Sequence, residues 1–573
     1  MTSPGPCPRP RRRPRRSRLG GLPTCRRTDR SDADTPDISD TAPHFARHRR
    51  WVAPVYSLAL SLVVTGPLLG PGYLLLRDAV STPRSYLTDA ALGLTDAAPR
   101  ALPQDFAIAL ASHVLDGGIV VKVLLVLGLT LAGWGSARLV AQVLPDIALG
   151  GRLVAATLAI WNPYVAERLL QGHWSLLVGY GCLPWVAAAT LAHRRWALAF
   201  WIALAGLTPT GVLLAAVTAL ACARRWGTAA AALAATVATA LPWLVATVVS
   251  ASLSSTAGAG IDAFAARAEP GLGTLGSLVG LAGIWNAQAV PDSRTTVFAV
   301  VATLVLVAVV AVGTPAAAAS PVTRPLLVLA AVAVLVPAAL ATGPGQAALA
   351  WASGQLPGLG VLRDGQKWVA LALPGYVLAA AGVARLGRSV AVVCGVALIA
   401  VLPDLAWGVG GQLRAVHYPQ AWPAVAALIN ADPRPVAVLP PDSMRQFDWA
   451  GPAPVLDPLP RWVSADVLVS GDLLIGGQII PGEGAHGRAV TQMLLDGAPQ
   501  RELADAGVGW VVAEGLGTPL DLPVVYRDAD LTLYEVGGAT PPADGRGLLI
   551  GAHLVWLTTL FGAGVAAVLR RRR

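Results

Sequence analysis

Lysine is almost absent from this 573-residue chain and occurs only at Lys122 and Lys367. Cysteine is scarce as well: the five cysteines form no CxxC pair and no zinc-ligand spacing, which excludes a disulfide framework and a zinc module. P-loop, HExxH and GxSxG motifs are missing, so nothing in the sequence predicts ATP hydrolysis. Charged residues make up 13% of the chain, against about 25% in soluble domains. An ordinary soluble protein is therefore excluded.

Apolar residues supply 54% of the chain, and the mean hydropathy is +0.58, which indicates a membrane protein. The net charge of +10 does not indicate a nucleic-acid partner, because the basic residues concentrate at the two ends. Residues 1–50 contain 13 Arg and 5 Asp, and residues 570–573 are all Arg, so the ends carry +12 and the rest carries −2. Residues 1–50 lack apolar periodicity, and we expect them to form a disordered basic cytoplasmic tail.

Long apolar runs predict an α-helical polytopic membrane protein with about 12 transmembrane helices. A bilayer-crossing helix needs about 20 apolar residues, or somewhat fewer where protein surrounds it. The predicted spans are 52–75, 120–140, 148–163, 175–192, 196–207, 209–222, 228–250, 296–313, 325–342, 367–384, 389–409 and 548–569. Residues 51–409 would form the main transmembrane domain, and residues 547–573 the last helix with its Arg-rich cytoplasmic end.

Residues 196–222 can be interpreted either as one span or as two short helices hinged at 207–211. One span would place the basic cluster at 193–195 and the pair Arg224 and Arg225 on opposite faces. Two helices place both clusters in the cytoplasm, as the positive-inside rule favours, and make the number of crossings even. We therefore expect a multi-pass protein of the plasma membrane with both termini cytoplasmic.

This topology gives the outer face four polar stretches, at 77–118, 164–174, 251–295 and 343–366, and a small α/β domain at 410–546 inserted before the last helix. The domain is predicted from β-branched and aromatic runs at 435–440, 507–515, 522–527 and 531–536, and from helical patterns at 419–430 and 487–504. Asp528 and Asp530 form a DxD pattern between two of these strands. We interpret it as a turn, because Asp is a favoured turn residue.

The first outer loop, 77–118, contains the candidate catalytic acids Asp78, Asp89 and Asp96. A carboxylate at a membrane surface can act as general base for a sugar hydroxyl or hold a divalent cation beside a phosphate. The alternative is a solvated loop whose acids have no further role. Asp78 is the strongest candidate because it follows the first span directly, where a rigid element can fix its position.

Two further polar clusters are candidate substrate-binding sites. Glu167, Arg168 and His173 lie in a short turn between aromatic residues, which also fits an ordinary interfacial belt. Arg363 and Lys367 are basic residues predicted on the outer side, contrary to the positive-inside pattern, and a phosphate would explain them. The alternative for this pair is a local ion pair with Asp364.

The segments NPYVAERLLQGHW at 162–174, LPW at 183–185 and LRDGQKW at 362–368 resemble those of uncharacterised multi-pass proteins of the GT-C type. The GT-C superfamily comprises integral-membrane glycosyltransferases that use polyprenyl-phosphate sugars on the outer face. The resemblance implies that Asp78, with Asp89 and Asp96 behind it, supplies the catalytic base or positions a metal ion. It also implies that Glu167, Arg168, His173, Arg363 and Lys367 contact the donor phosphate or the substrate. The first loop lacks the paired DxD, ExD or DE signature of that superfamily.

The expected function is thus an inverting sugar transfer from a polyprenyl-phosphate donor to a glycan or lipid acceptor of the cell envelope. The expected partners are the lipid bilayer, this donor and this acceptor, with a divalent cation as an optional cofactor and no nucleic acid. The alternative is a non-catalytic membrane protein, either a transporter of lipid-linked intermediates or a scaffold for envelope assembly. Few ionisable residues lie within the predicted spans, which argues against a transporter.

Overall fold

The structure, a computed structural model, describes residues 42–95, 101–249, 260–356, 359–475, 477–515, 519–539 and 544–570. Most of the described residues are helical. Among them the structure contains seven helices that are long and apolar enough to cross a membrane, or up to nine spans if each of two bent helix pairs counts as one. The chain is therefore a mostly helical, multi-pass membrane protein with a small sheet region. The seven candidate spans are Arg50–Leu69, Gly117–Val143, Trp174–Leu191, Trp226–Val249, Phe298–Ala318, Gly365–Leu386 and Arg546–Leu569.

Each of the twelve predicted runs contains a helix, but not all of these helices have the length of a membrane span. The bent pairs are Arg324–Leu340 with Gly343–Gln355, at 91°, and Arg388–Ala400 with Pro403–Gly410, at 73°. Three others have 12, 11 and 14 residues, fewer than the about 20 that an unsupported crossing needs: Leu149–Ile160, Arg195–Ala205 and Pro209–Cys222. The count of twelve crossings stays a prediction.

The predicted hinge at 207–211 separates two helices, as expected for the two-helix interpretation. Pro209 occupies the first turn of the second helix, and the Thr208 side chain caps it by accepting a hydrogen bond from Gly211 N at 3.0 Å. The prediction for 52–75 is wrong at its C-terminal end. The α-helix ends at Thr65, because Pro67 and the run Gly70–Gly72 cannot continue it, and Tyr73–Leu76 forms a strand instead.

That strand ties the first loop to the α/β unit. Tyr73–Leu76 pairs antiparallel with Ala79–Val80 and, on its other side, with Ala415–Val416. Gly72 has a φ of +111°, and a Cβ there would lie 2.6 Å from Val416 O, so only glycine allows this close approach. The loop also contains the helices Asp89–Leu92 and Gln104–Ala111.

The α/β unit contains a five-stranded mixed sheet that confirms the four predicted strands. In spatial order the strands are Val524–Arg527, Leu531–Glu535, Trp510–Glu514, Val436–Leu439 and Val467–Leu468, the last three parallel to one another. The predicted helices are Ala421–Ala431 and, for 487–504, the two pieces Ala485–Leu495 and Gln500–Asp505. Short antiparallel pairs join Met444–Arg445 to Val455–Leu456 and Leu473–Ile475 to Gln478–Ile480.

The DxD pattern forms the predicted turn. The Asp528 carboxylate accepts hydrogen bonds from Asp530 N at 2.8 Å and Leu531 N at 2.9 Å, which closes the connection between two antiparallel strands.

The helix Trp174–Leu191 lies at the centre of the helical region, and 94% of it is buried inside the protein. It packs against Gly117–Val143 through glycines: a Cβ on Gly181 would lie 2.1 Å from Gly128 O. Such close backbone contact fixes the helix, and the short helix Pro163–Leu170 and the turn at 171–173 lead directly into its first residue.

Candidate functional site

The short helix Pro163–Leu170 places two of the candidate residues in the protein interior. Its start is set by Asn162, whose side chain accepts a hydrogen bond from Val165 N at 3.1 Å, and by Pro163 in the first turn. Glu167 and Arg168 follow one turn later, and both are fully buried. Charges buried this deeply require specific partners.

A left-handed turn at Gly172 brings His173 back towards the end of the first strand. Gly172 has a φ of +84° and packs so closely that a Cβ would lie 2.3 Å from Ala79 N and 2.4 Å from Leu76 O. Both contacts are with backbone atoms, which cannot rotate away. The turn therefore depends on the absence of a side chain.

We expect Gly172→Ala to destabilise the protein by more than the about 1–2 kcal/mol that the left-handed backbone alone costs an L-residue. The additional loss comes from the overlap with backbone atoms of Leu76 and Ala79, which lie on either side of the connection that contains Asp78. Denaturant unfolding in mixed micelles measures the effect. Gly497→Ala is the matched control, because Gly497 also has a positive φ, of +73°, but has open space at its Cβ. Equal losses in the two variants would show that the overlap at Gly172 contributes nothing.

Asp78 lies next to this turn, on the connection between the strands Tyr73–Leu76 and Ala79–Val80. Its Oδ2 atom accepts hydrogen bonds from His173 Nε2 at 2.9 Å and from Gln171 Nε2 at 3.1 Å. Its side chain remains 40% exposed. Among the described residues Oδ1 has no hydrogen-bond donor, so this oxygen can accept a proton from an incoming group.

The preceding residue, Arg77, fixes the Asp78 backbone. Arg77 is buried, has an unusual φ of +49°, and donates to Leu170 O and to Gln288 O, both at 2.6 Å. A left-handed non-glycine residue is costly and persists only where its surroundings hold it. The two carbonyl contacts supply that restraint.

The protonation state of His173 follows from its second neighbour. Arg168 Nη1 lies 3.0 Å from His173 Nδ1, and a guanidinium can only donate. Nδ1 must therefore be the unprotonated, accepting nitrogen, so Nε2 carries the proton and donates a hydrogen bond to Asp78. His173 is thus a neutral imidazole that orients the Asp78 carboxylate.

The pKa values of both groups are shifted downwards. Burial raises the pKa of Asp78, but the hydrogen bonds that it accepts from His173 and Gln171 and the nearby positive charge of Lys367 more than offset this, so the pKa lies below its usual value. Burial lowers the pKa of His173; Lys367 and Arg168 act in the same direction, while the hydrogen bond to Asp78 opposes them. At neutral pH Asp78 is ionised and His173 is uncharged.

These shifts predict how stability depends on pH. The unfolded chain protonates His173 near the ordinary pKa of 6.5, whereas the folded chain does so only at lower pH. The stability that neutral His173 contributes is therefore present above pH 6.5 and is lost as the pH falls through the lowered folded pKa. We expect His173→Gln to lose less unfolding free energy than the native chain between about pH 7.5 and about pH 5.5. An unchanged pH dependence of the unfolding free energy in His173→Gln would contradict the prediction.

Arg168 connects this pair to the segment LRDGQKW. It donates from Nη1 to Asp364 Oδ2 at 2.9 Å and from Nη2 to Asp364 Oδ1 at 3.0 Å, and it also donates to the side-chain oxygen of Gln366. Lys367 Nζ lies 3.5 Å from Asp364 Oδ2, so the local ion pair that the sequence allows is present. The positive charges of Arg168 and Lys367 hold the pKa of Asp364 well below its usual range despite burial.

Glu167 completes the chain of contacts. Gln366 Nε2 donates to its Oε2 atom at 2.9 Å, and Gly283 N and Ile284 N donate to its carboxylate at 3.1 Å each. Burial, together with the charge of Glu269, raises the pKa of Glu167. We call the set Asp78, Glu167, Arg168, His173, Asp364, Gln366 and Lys367 the ionic network.

Three candidate residues have other surroundings. Arg363 has its guanidinium 4.3 Å from the centre of the Phe264 ring. Asp89 forms an ion pair with Arg546 at the start of the last helix. Asp96 lies outside the described residues. The sequence did not predict a site role for Asp364 or Gln366, although both belong to the segment LRDGQKW, which also contains Lys367.

The network does not fit a divalent cation. Asp78 is its only carboxylate with an open oxygen, and the neighbouring Lys367 and Arg168 are positively charged, whereas Ca²⁺ and Mg²⁺ need several oxygen ligands. In the described part of the chain no group of three or more His, Cys, Asp or Glu side chains converges to hold a metal ion.

Comparison with known proteins assigns no family. No protein-family model matches the chain, and no curated protein and no solved structure matches it significantly.

Proposed function

We propose that the protein is a membrane glycosyltransferase that moves a sugar from a polyprenyl-phosphate donor to a cell-envelope acceptor on the outer face of the plasma membrane. The observation that carries the proposal is the geometry of Asp78. Its carboxylate is ionised, oriented by His173 and Gln171 through one oxygen, and open at the other. A rigidly held, accessible carboxylate is what a general base requires.

The charges around Asp78 suit this chemistry. In the proposed step the acceptor hydroxyl oxygen attacks the anomeric carbon, Asp78 Oδ1 takes the hydroxyl proton, and the bond from the anomeric carbon to the phosphate oxygen breaks. The lipid phosphate leaves with that electron pair. Lys367 is 26% exposed and its charge lowers the pKa of Asp78, so we propose that the same charge stabilises the leaving phosphate. A single carboxylate favours an inverting displacement, because a covalent intermediate would need a second one.

Contacts between loops support an even number of crossings between the loops that meet, a condition that ten passes and twelve passes both satisfy. The pairs are Asp78 with His173, Glu167 with Gly283, Arg168 with Asp364, and Ser293 with Asp404. Gly117–Val143 lies between Asp78 and His173 in the chain. If this helix crosses the membrane once, the short helix Leu149–Ile160 must cross back to bring the two residues to the same side. Between Glu167 and Gly283, two long helices already give an even number of crossings. The two short helices in the same stretch, Arg195–Ala205 and Pro209–Cys222, must therefore either both cross the membrane or both not cross it. Because the positive-inside rule favours basic residues in the cytoplasm, we propose that both basic ends are cytoplasmic and that the ionic network faces outwards.

A transfer assay tests the proposal. Membranes that contain the protein, and matched membranes without it, are incubated with polyprenyl-phosphate donors that carry labelled pentose or hexose, together with envelope acceptors. We expect label to appear in the acceptor only where the protein is present. Absence of transfer across these donors, with the protein shown to be folded and inserted, would count against the enzyme.

A specific observation favours the alternative of a non-catalytic scaffold. Most charges of the ionic network are paired with one another, and Arg168 is wholly enclosed, which is also how a structural clamp between loops would be built. The two functions differ in what they require of Asp78. A scaffold needs the shape of its side chain, whereas a transferase needs its charge.

A further inference from the structure

The hairpin formed by Leu473–Ile475 and Gln478–Ile480 has apolar residues on both faces. Leu473 pairs with Ile480, and Leu474 pairs with Ile479, so the two pairs project to opposite sides of the ribbon. The first pair faces the protein, and Ile480 is only 8% exposed. The second pair faces outwards, with Leu474 65% and Ile479 71% exposed.

A ribbon of this composition does not suit water on its outer face. A two-stranded hairpin is at best marginally stable alone, and one that covers a protein in water normally alternates apolar residues inside with polar residues outside. Exposed, paired apolar residues on an uncapped ribbon are an aggregation hazard. The outer face of this hairpin therefore needs an apolar covering.

The hairpin is continuous with membrane-facing parts of the protein. Ile480 contacts Gly260: its Cγ2 atom lies 3.0 Å from the position that a Cβ on Gly260 would occupy. The next residue, Ile261, lines a cleft shared with Leu340 and Leu349. These two belong to the bent pair Arg324–Leu340 and Gly343–Gln355.

The second helix of that pair lies along the bilayer surface if the first one crosses it, because the two are at 91°. Gly343–Gln355 contains no charged residue, packs inwards through Leu349 and Ser353, and presents Trp351 with 70% of its surface exposed. Tryptophan is enriched at the level of the lipid headgroups. The cleft also includes Arg363 and Gly365, next to Asp364, so this surface helix is on the side of the ionic network.

We propose that the outer face of the hairpin, Leu474 and Ile479, inserts into the lipid leaflet on the side of the ionic network, beside the surface helix Gly343–Gln355. The occupant is the lipid itself. Interfacial amphipathic helices bury their apolar faces roughly 5–10 Å into the boundary between headgroups and acyl chains, and we expect a similar depth for this hairpin. Insertion would hold the α/β unit against the membrane at a fixed height, and it does not depend on the enzymatic proposal.

Spin-label accessibility in lipid nanodiscs tests this insertion. The five native cysteines are replaced, and a nitroxide is attached to Leu474→Cys, to Ile479→Cys or to a control, Leu495→Cys. Leu495 is 60% exposed in the same unit, next to the exposed Asp496, and should face water. Oxygen concentrates among acyl chains and a nickel chelate stays in water. We expect the ratio of oxygen to nickel collision rates to be severalfold higher at 474 and 479 than at 495.

Two results would overturn the proposal. One is a nickel collision rate at 474 and 479 as high as at 495, which would place the hairpin in water. The other is a label shielded from both reagents, which would mean that a protein surface covers it. If replacing the cysteines prevents folding, a genetically encoded fluorescent residue at 479 in the native chain gives the same answer: brominated lipid should quench it and iodide should not.

Discussion

Asp78→Asn is expected to abolish sugar transfer while leaving the fold intact. Asparagine keeps the size of the side chain, and its oxygen can still accept the hydrogen bonds from His173 and Gln171. The charge and the capacity to take a proton are lost. General-base catalysis contributes about 10²–10⁴-fold to a rate, and we expect a loss of that size in the initial rate of labelled sugar transfer.

Asp105→Asn is the matched control, because Asp105 belongs to the same loop but binds Arg461 of the α/β unit. It should retain most of the transfer rate. An Asp78→Asn variant that transfers sugar at the native rate would show that Asp78 is not the base. Unchanged transfer also in Asp89→Asn and Asp96→Asn would remove the first loop from the mechanism.

The sequence predicted the members of the ionic network better than the contacts between them. Asp78, Glu167, Arg168, His173 and Lys367 stand out because each is a charged or ionisable residue at a break in an apolar pattern. Asp364 and Gln366 do not, because their partner Arg168 is 196 and 198 positions away along the chain. Contacts of that separation leave no trace in local spacing, and Asp364 had a nearer partner in Lys367.

The fold shows the same division. Strands such as Trp510–Glu514 follow from β-branched and aromatic usage over several residues. The strand Tyr73–Leu76 could not be predicted in this way, because its sequence, YLLL, continues an apolar run that fits a helix equally well. Its pairing with Ala415–Val416 decided the matter, and that partner lies more than 300 positions away. Val467–Leu468, two residues long, offers no periodicity at all.

Arg168→Met is expected to cost about 3–5 kcal/mol of unfolding free energy, the range measured when one partner of a buried ion pair is removed. Methionine nearly fills the volume but supplies no donors. Asp364, whose side chain is 6% exposed, would lose its bidentate partner, and Gln366 and His173 would each lose one hydrogen bond. Reversible denaturant titration in mixed micelles measures the difference.

The double variant Arg168→Met with Asp364→Asn shows how much of the lost unfolding free energy comes from the missing hydrogen bonds and how much from leaving the Asp364 carboxylate buried without its Arg168 partner. If the uncompensated carboxylate of Asp364 dominates the cost, neutralising it should recover stability, so the double variant should be more stable than Arg168→Met alone. Arg434→Met removes two ion pairs whose acids are about half exposed and a contact with the Trp510 ring, and should cost about 1–2 kcal/mol, less than Arg168→Met. An Arg168→Met variant no less stable than Arg434→Met would mean that the ionic network does not hold the loops together. A double variant less stable than Arg168→Met would mean that Asp364 is stabilised mainly by Lys367.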